Sequence, residues 1–233
     1  ARHDNIWSDL GPVLSMAGGM LLFFGWIGFN GGSTLAVTSN VGHVILNTVL
    51  AGAVGTCAGY VIGYWQDRVV LPEKTLCGML GGLVAVTAGC HLFDGASAAL
   101  IGLVGAAVSL WGNHLLETRF RVDDAVGAVG VHAFAGVAGT LGLALLAPAE
   151  LLPAGGKLAQ LQIQALGVGV NFLWCFGLGF LFFYGLNRIM TVRVSPEAED
   201  VGLNVAEHAS RMGVGHVEEA ISGLLNGTVN LSK

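Results

Sequence analysis

Long apolar stretches, broken by short polar runs, set the plan of this chain. Six of them run roughly over 10–30, 41–65, 76–93, 95–116, 126–148 and 161–190. Each approaches the ~20 residues that an α-helix needs to cross the hydrocarbon of a bilayer. None alternates apolar with polar positions over some ten residues, which argues against transmembrane strands. The expected fold class is all-α, a polytopic membrane helix bundle with six transmembrane helices. The last stretch is the longest and predicts a helix that tilts or protrudes.

Composition supports the same class. Of 233 residues, 54% are hydrophobic and only 11% charged, against ~25% charged in soluble domains. The mean hydropathy is +0.71. Such a chain cannot cover a water-facing surface. Its formal charge of −5 carries no basic patch, so nucleic acid is not an expected partner. With six spans both tails lie on one side. That side holds Arg2, Arg68, Lys74, Arg119, Arg121, Arg188, Arg193, Arg211 and Lys233, and the other holds Lys157 alone. The asymmetry survives without the two residues far down the tail, and it predicts cytoplasmic termini. Cys57, Cys77, Cys90 and Cys175 lie in or beside apolar stretches without CxxC spacing. They read as buried small hydrophobes rather than disulfide or metal ligands. The opening ARHDNIWSDL lacks an initiator Met and the features of a signal peptide, so a fragment or processed piece is expected.

The polar residues inside the apolar stretches narrow the reading. Leu21 to Leu35 reads LLFFGWIGFNGGSTL. On a helix Trp26, Phe29, Asn30 and Ser33 fall at i, i+3, i+4 and i+7 and share one face. Such a stripe is costly against lipid and belongs against protein or a pore. Glycines 25, 28, 31 and 32 let another backbone come close. Asn47 and Thr48 in the second stretch suit hydrogen bonds between helices. Thr87 either lines a pore or bonds back to its own helix. Ala98, Gly102 and Ala106 suit close helix packing, and His114 reads as an interfacial residue. Asp123 and Asp124, just before the fifth stretch, suit capping of its N-terminus. His132 lies within that stretch. With α-helical spacing, Ala135, Gly136 and Gly139 share its face and leave space beside the imidazole. The loop after it, APAELLPAGGKLAQ, reads as irregular.

Two of these runs carry a resemblance. GWIGFNGGS resembles the sixth membrane helix of the ammonium transporter family (Amt/Mep/Rhesus), whose pattern is GW-aromatic-GFN-small-GS. Arg121 to Thr140, RVDDAVGAVGVHAFAGVAGT, resembles the family's run around a pore histidine. Asn47 and Thr48 resemble its FVNT, and Thr87 to Cys90 its Thr-Ala-Gly-Cys turn. TVRVSPEAEDVGLNVAEHAS resembles its cytoplasmic tail, with Asn204 in place of the usual Asp and Ala209 in place of Gly. The resemblance runs from about Asn5 to about Arg211 and covers the C-terminal half of the family pattern, the sixth to eleventh helices and tail. This division implies a transporter domain over 1–211, its tail at 191–211, and a cytoplasmic tail or linker at 212–233. In that last piece Val217, Ile221, Leu224 and Leu225 share one helical face.

What the resemblance implies is one half of an inverted-repeat transporter in the cell (inner or plasma) membrane, working as a homotrimer in nitrogen uptake. A bare ion costs tens of kcal/mol to bury, so a pore has to hold the charge or remove the proton. The implied roles follow that chemistry. Ser33 helps bind ammonium at the outer mouth, where a hydroxyl accepts a hydrogen bond. Phe29 is one of two stacked gate rings, and a cation over a ring gains about 0.5–2 kcal/mol. Trp26 lines or supports the pore. His132 is one of a histidine pair, able to accept or relay a proton. The partner histidine and the second gate ring belong to the family's N-terminal half. His43 and His91 lie outside the matching motif and do not supply the partner. No cofactor or metal and no enzymatic activity is implied. The alternative is an ammonium sensor of the same fold, signalling through a regulatory protein or a fused cytoplasmic domain.

Overall fold

The computed structural model describes residues 10–122, 124 and 126–201. Asp123, the tail beyond 201 with Asn204 and Ala209, and the expected amphipathic piece lie outside the described residues. Among those described there are helices and no strands. Six long helices follow in order: α1 Leu10–Gly32, α2 Asn40–Asp67, α3 Pro72–Thr87, α4 Gly95–Leu115, α5 Ala135–Leu146 and α6 Lys157–Ile189. A short α7 covers Pro196–Val201, and π-helical turns cover Leu116–Phe120 and Val129–Phe134. Five of the elements are long and apolar enough to cross a membrane. The exception is α3, with 16 residues. The third apolar stretch was expected over 76–93. The helix instead starts earlier, with Pro72 in its first turn, and gives way to turns after Thr87.

The chain divides into two compact units. In Ser15–Trp174, α2, α3 and α4 pack through backbone made accessible by glycine. A Cβ on Gly82 would lie 2.6 Å from the Ala51 carbonyl oxygen and 3.2 Å from that of Gly102. A Cβ on Gly55 would lie 2.5 Å from the Gly78 oxygen. Only hydrogen fits at such positions, and this closeness is how apolar helices gain contact without a hydrophobic drive between them. Ala98, Gly102 and Ala106 are all buried on α4, as their spacing predicts. Phe93, Leu83, Ile101, Val44 and Val86 fill the centre. The helix ends have local causes. Arg68 closes α2 in the left-handed region, its N–H donating to the Tyr64 carbonyl. Asp94 caps α4 by accepting the Ser97 N–H at 2.7 Å.

In the other unit, made of the described residues before Ser15 and after Trp174, the second half of α6 carries an aromatic ladder. Phe176 stacks on Phe180 and Phe180 on Tyr184 at 6.4 and 6.1 Å. The Arg188 guanidinium lies 4.8 Å from the Tyr184 ring centre. Arg193 donates twice to the Glu199 carboxylate, at 2.7 and 3.0 Å.

Candidate functional site

The motif-bearing helix α1 is tied to its neighbours by two side-chain hydrogen bonds one turn apart. The Trp26 indole N–H donates to Thr87 Oγ1 on α3 at 2.9 Å. Asn30 Nδ2 donates to Thr48 Oγ1 on α2 at 3.0 Å. Both hydroxyls pass their own hydrogen to their helix, Thr87 to the Leu83 carbonyl and Thr48 to the Val44 carbonyl, each at 2.7 Å. Of the two roles the sequence left open for Thr87, the bond back to its own helix is present, and its oxygen also accepts the Trp26 indole N–H. Asn30 and Thr48 are buried, at 4% and 0% exposure. Gly31 lets α1 approach Ile45, whose Cγ1 would lie 3.2 Å from a Cβ there.

Phe29 and Ser33 stand differently. Phe29 is 60% exposed and meets the Trp26 ring edge-on at 5.8 Å. Ser33 falls just past the end of α1 and is exposed. Its hydroxyl donates to the Phe29 carbonyl at 2.6 Å. The proton being committed there, the lone pairs of Ser33 Oγ remain to accept from an N–H donor.

A second polar group anchors the turns after α3. Asn47, 1% exposed, donates through Nδ2 to the carbonyls of Cys90 at 3.0 Å and Phe93 at 2.7 Å. His43 Nε2 lies 2.7 Å from the same Phe93 oxygen. A carbonyl only accepts, so His43 is assigned the tautomer with its proton on Nε2. Asn47 thus ties α2 to the turns between α3 and α4 rather than to another helix, and His43 is a structural partner of the same turn.

His132 needs the largest correction. Val129–Phe134 is π-helical, bonded i to i+5, so α-helical spacing from His132 does not hold. Ala135 and Gly139 are buried, and a Cβ on Gly139 would meet the Ala85 backbone of α3 at 2.6 Å from its Cα. His132 itself is exposed. The small residues expected beside the ring instead pack α5 onto α3. The start of this segment is held by Asp124, which accepts the N–H groups of Ala128 at 2.9 Å and Val129 at 2.7 Å. The last turns of α3 touch both motif helices, through Thr87 to Trp26 and through Ala85 to Gly139. Among the described residues, no hydrogen bond or ring contact joins His132 to Trp26, Phe29 or Ser33.

The sequence reading passed over Asn113, Gly127 and Gly130, which meet at the π-helical turn. A polar Asn near the end of an apolar stretch was a signal for it, with two glycines three residues apart before the histidine.

Five apolar elements of spanning length, with α1 hydrogen-bonded to α2 and α3, define a polytopic helical membrane protein. The Ammonium Transporter Family model matches residues 8–212, and the chain belongs to that family. It is 44% identical over 196 residues to a provisionally named ammonium transporter of Synechocystis, covering 83% of this chain and 36% of that protein. It is 36% identical to Ammonium transporter Amt2 of Archaeoglobus fulgidus, covering 85% and 45%. The solved structure of a Sensor Amt Protein superposes with a TM-score of 0.79 at 41% identity, over 84% of this chain and 49% of that one. The chain thus spans less than half the length of these relatives.

Proposed function

We propose that the intact protein moves ammonium or ammonia across the cell membrane through a hydrophobic pore, and that this chain forms one wall of it. The observation that carries the reading is the Trp26–Thr87 hydrogen bond. It pins the motif helix α1 while leaving the Phe29 ring and the Ser33 oxygen unpacked at its far end. These are the groups a weakly hydrated cation needs: a π face and a free acceptor. Ammonium donates to Ser33 Oγ at the outer mouth and loses its shell of water against the aromatic rings. Phe29 acts as one of two gate rings. Deeper in, His132 is one of two pore histidines and can take or relay a proton. The second ring and the second histidine come from the N-terminal half of the fold, which also covers the exposed faces of α1 and α6. A homotrimer in the plasma membrane, with cytoplasmic termini, completes the expectation. No enzymatic step is assigned.

Transport is preferred over sensing. The relatives at 44% and 36% identity are named as ammonium transporters, and the likeness to the Sensor Amt Protein is to a fold common to both readings. The test is ammonium-driven flux into proteoliposomes containing the intact polypeptide. A hydrogen bond to a charged group contributes about 1.5–3 kcal/mol when buried and less at an open mouth. Ser33→Ala is therefore expected to raise the apparent KM for ammonium about tenfold with maximal flux preserved. Absence of saturable flux in the wild type, or an unchanged KM in the variant, contradicts the proposal.

A further inference from the structure

We propose that Asn113 of α4 is a positioning residue for His132: its amide is a wedge between Gly127 and Gly130 that holds Val129–Phe134 in the π-helical winding. The inference rests on the pore reading of His132. Gly127 has a φ of +68°, and a Cβ there would lie 2.7 Å from Asn113 Nδ2 and 2.9 Å from Cys77 Sγ. A Cβ on Gly130 would collide with Asn113 Oδ1. The amide thus fills the room that the two missing side chains vacate. Nδ2 donates to Cys77 Sγ at 3.7 Å. Oδ1 is buried with no hydrogen-bond partner among the described residues, a cost that an apolar side chain of similar size avoids. What the position demands is shape. The turn is fixed at its other points as well. Asp124 holds the N–H groups at its start. At its end the Phe134 ring packs on Gly112, where a Cβ would lie 2.6 Å from Cγ, and meets Trp111 edge-on at 6.0 Å.

The winding matters for direction. A π-helical turn holds one residue more than an α-helical one. Losing that residue from the turn rotates what precedes it by about 100° relative to α5. With α5 locked on α3 through Gly139, the rotation falls on His132.

The experiment uses the intact protein in proteoliposomes with four variants: Asn113→Ala, Asn113→Leu, His132→Ala and the Asn113→Ala/His132→Ala pair. Asn113→Ala is expected to lower flux about tenfold and shift its pH profile. It should add nothing in the His132→Ala background, since residues acting through one another are not additive. Asn113→Leu refills the wedge and is expected to stay within about twofold of wild type. Multiplicative effects in the pair, or an unchanged Asn113→Ala profile, overturn the proposal. A cryo-electron microscopy map of Asn113→Ala in nanodiscs decides independently of transport: an α-helical turn over 129–134 supports the wedge and a retained π-helical turn overturns it. Asn113→Ser serves the same comparison if the alanine variant does not fold. Unchanged flux in His132→Ala alone counts against the pore reading, and the map then judges the wedge by itself.

Discussion

Replacing Thr48 by valine removes one hydroxyl and leaves the shape almost unchanged. In the wild type this hydroxyl accepts the Asn30 amide at 3.0 Å, and both residues are buried. Its own hydrogen goes back to the Val44 carbonyl, which also serves the regular helix, so that acceptor is not orphaned. The loss falls on Asn30 Nδ2, left without its partner from α2. In a protein interior an orphaned buried donor costs about 1–3 kcal/mol. Between membrane helices such bonds average only about 0.6 kcal/mol, with a maximum near 1.7, because the unfolded reference in lipid also finds partners. The expected destabilisation of Thr48→Val is therefore about 1 kcal/mol. Replacing both partners, Asn30→Leu with Thr48→Val, leaves no orphan and should recover much of it. The assay is thermal or steric-trap unfolding of the intact protein in bicelles, carried through all four corners of the cycle. A coupling of about 0.6–1.7 kcal/mol is expected. Strict additivity, within about 0.3 kcal/mol, refutes the claim that this bond fixes α1 against α2.

Two further outcomes follow from packing and capping. Gly82→Ala forces a methyl against the backbones of Ala51, Gly102 and Gly55 and is expected to cost about 1–3 kcal/mol. Gly95→Ala, with only Leu50 Cδ2 at 3.7 Å, should leave the melting temperature nearly unchanged, and equal losses in the two variants would count against glycine-mediated packing. The Ser97 N–H, above all other influences, holds the Asp94 carboxyl below its ordinary pKa of 3.8. A lowered folded-state pKa gives a contribution fully present above the ordinary value and lost as pH falls through the lowered one. Asp94→Asn keeps an acceptor oxygen but no titration, so its stability should fall less steeply in acid. An acid limb identical to wild type in chemical denaturation removes Asp94 from the account.

The helices were legible because a bilayer dictates both their length and their composition. The ends were less so where side chains take over the backbone. The third stretch stays apolar to residue 93, yet its helix stops at Thr87. Asn47 and His43 there supply the Cys90 and Phe93 carbonyls with partners from α2 instead of a continuing helix. The residues of the α1 stripe were legible from their spacing, but their division was not. Trp26 and Asn30 turn into the bundle while Phe29 and Ser33 stay open. That depends on which hydroxyls α2 and α3 present, sixty residues away in the case of Thr87. For His132 the α-helical spacing read from the sequence did not give which residues stand beside it. One extra residue in a π-helical turn changes the phase of everything around it, and the cause, Asn113 between two glycines, comes from another helix.

The proposed function turns on passage of ammonium or ammonia beside His132. The most direct measurement is ammonium-evoked flux, as a function of pH, in proteoliposomes containing the intact protein or its His132→Ala variant at matched protein density. Saturable flux is expected in the wild type, and in the variant an altered rate or altered selectivity for ammonium over other monovalent cations, with a changed pH dependence. Identical rate, selectivity and pH profile in the two contradicts it.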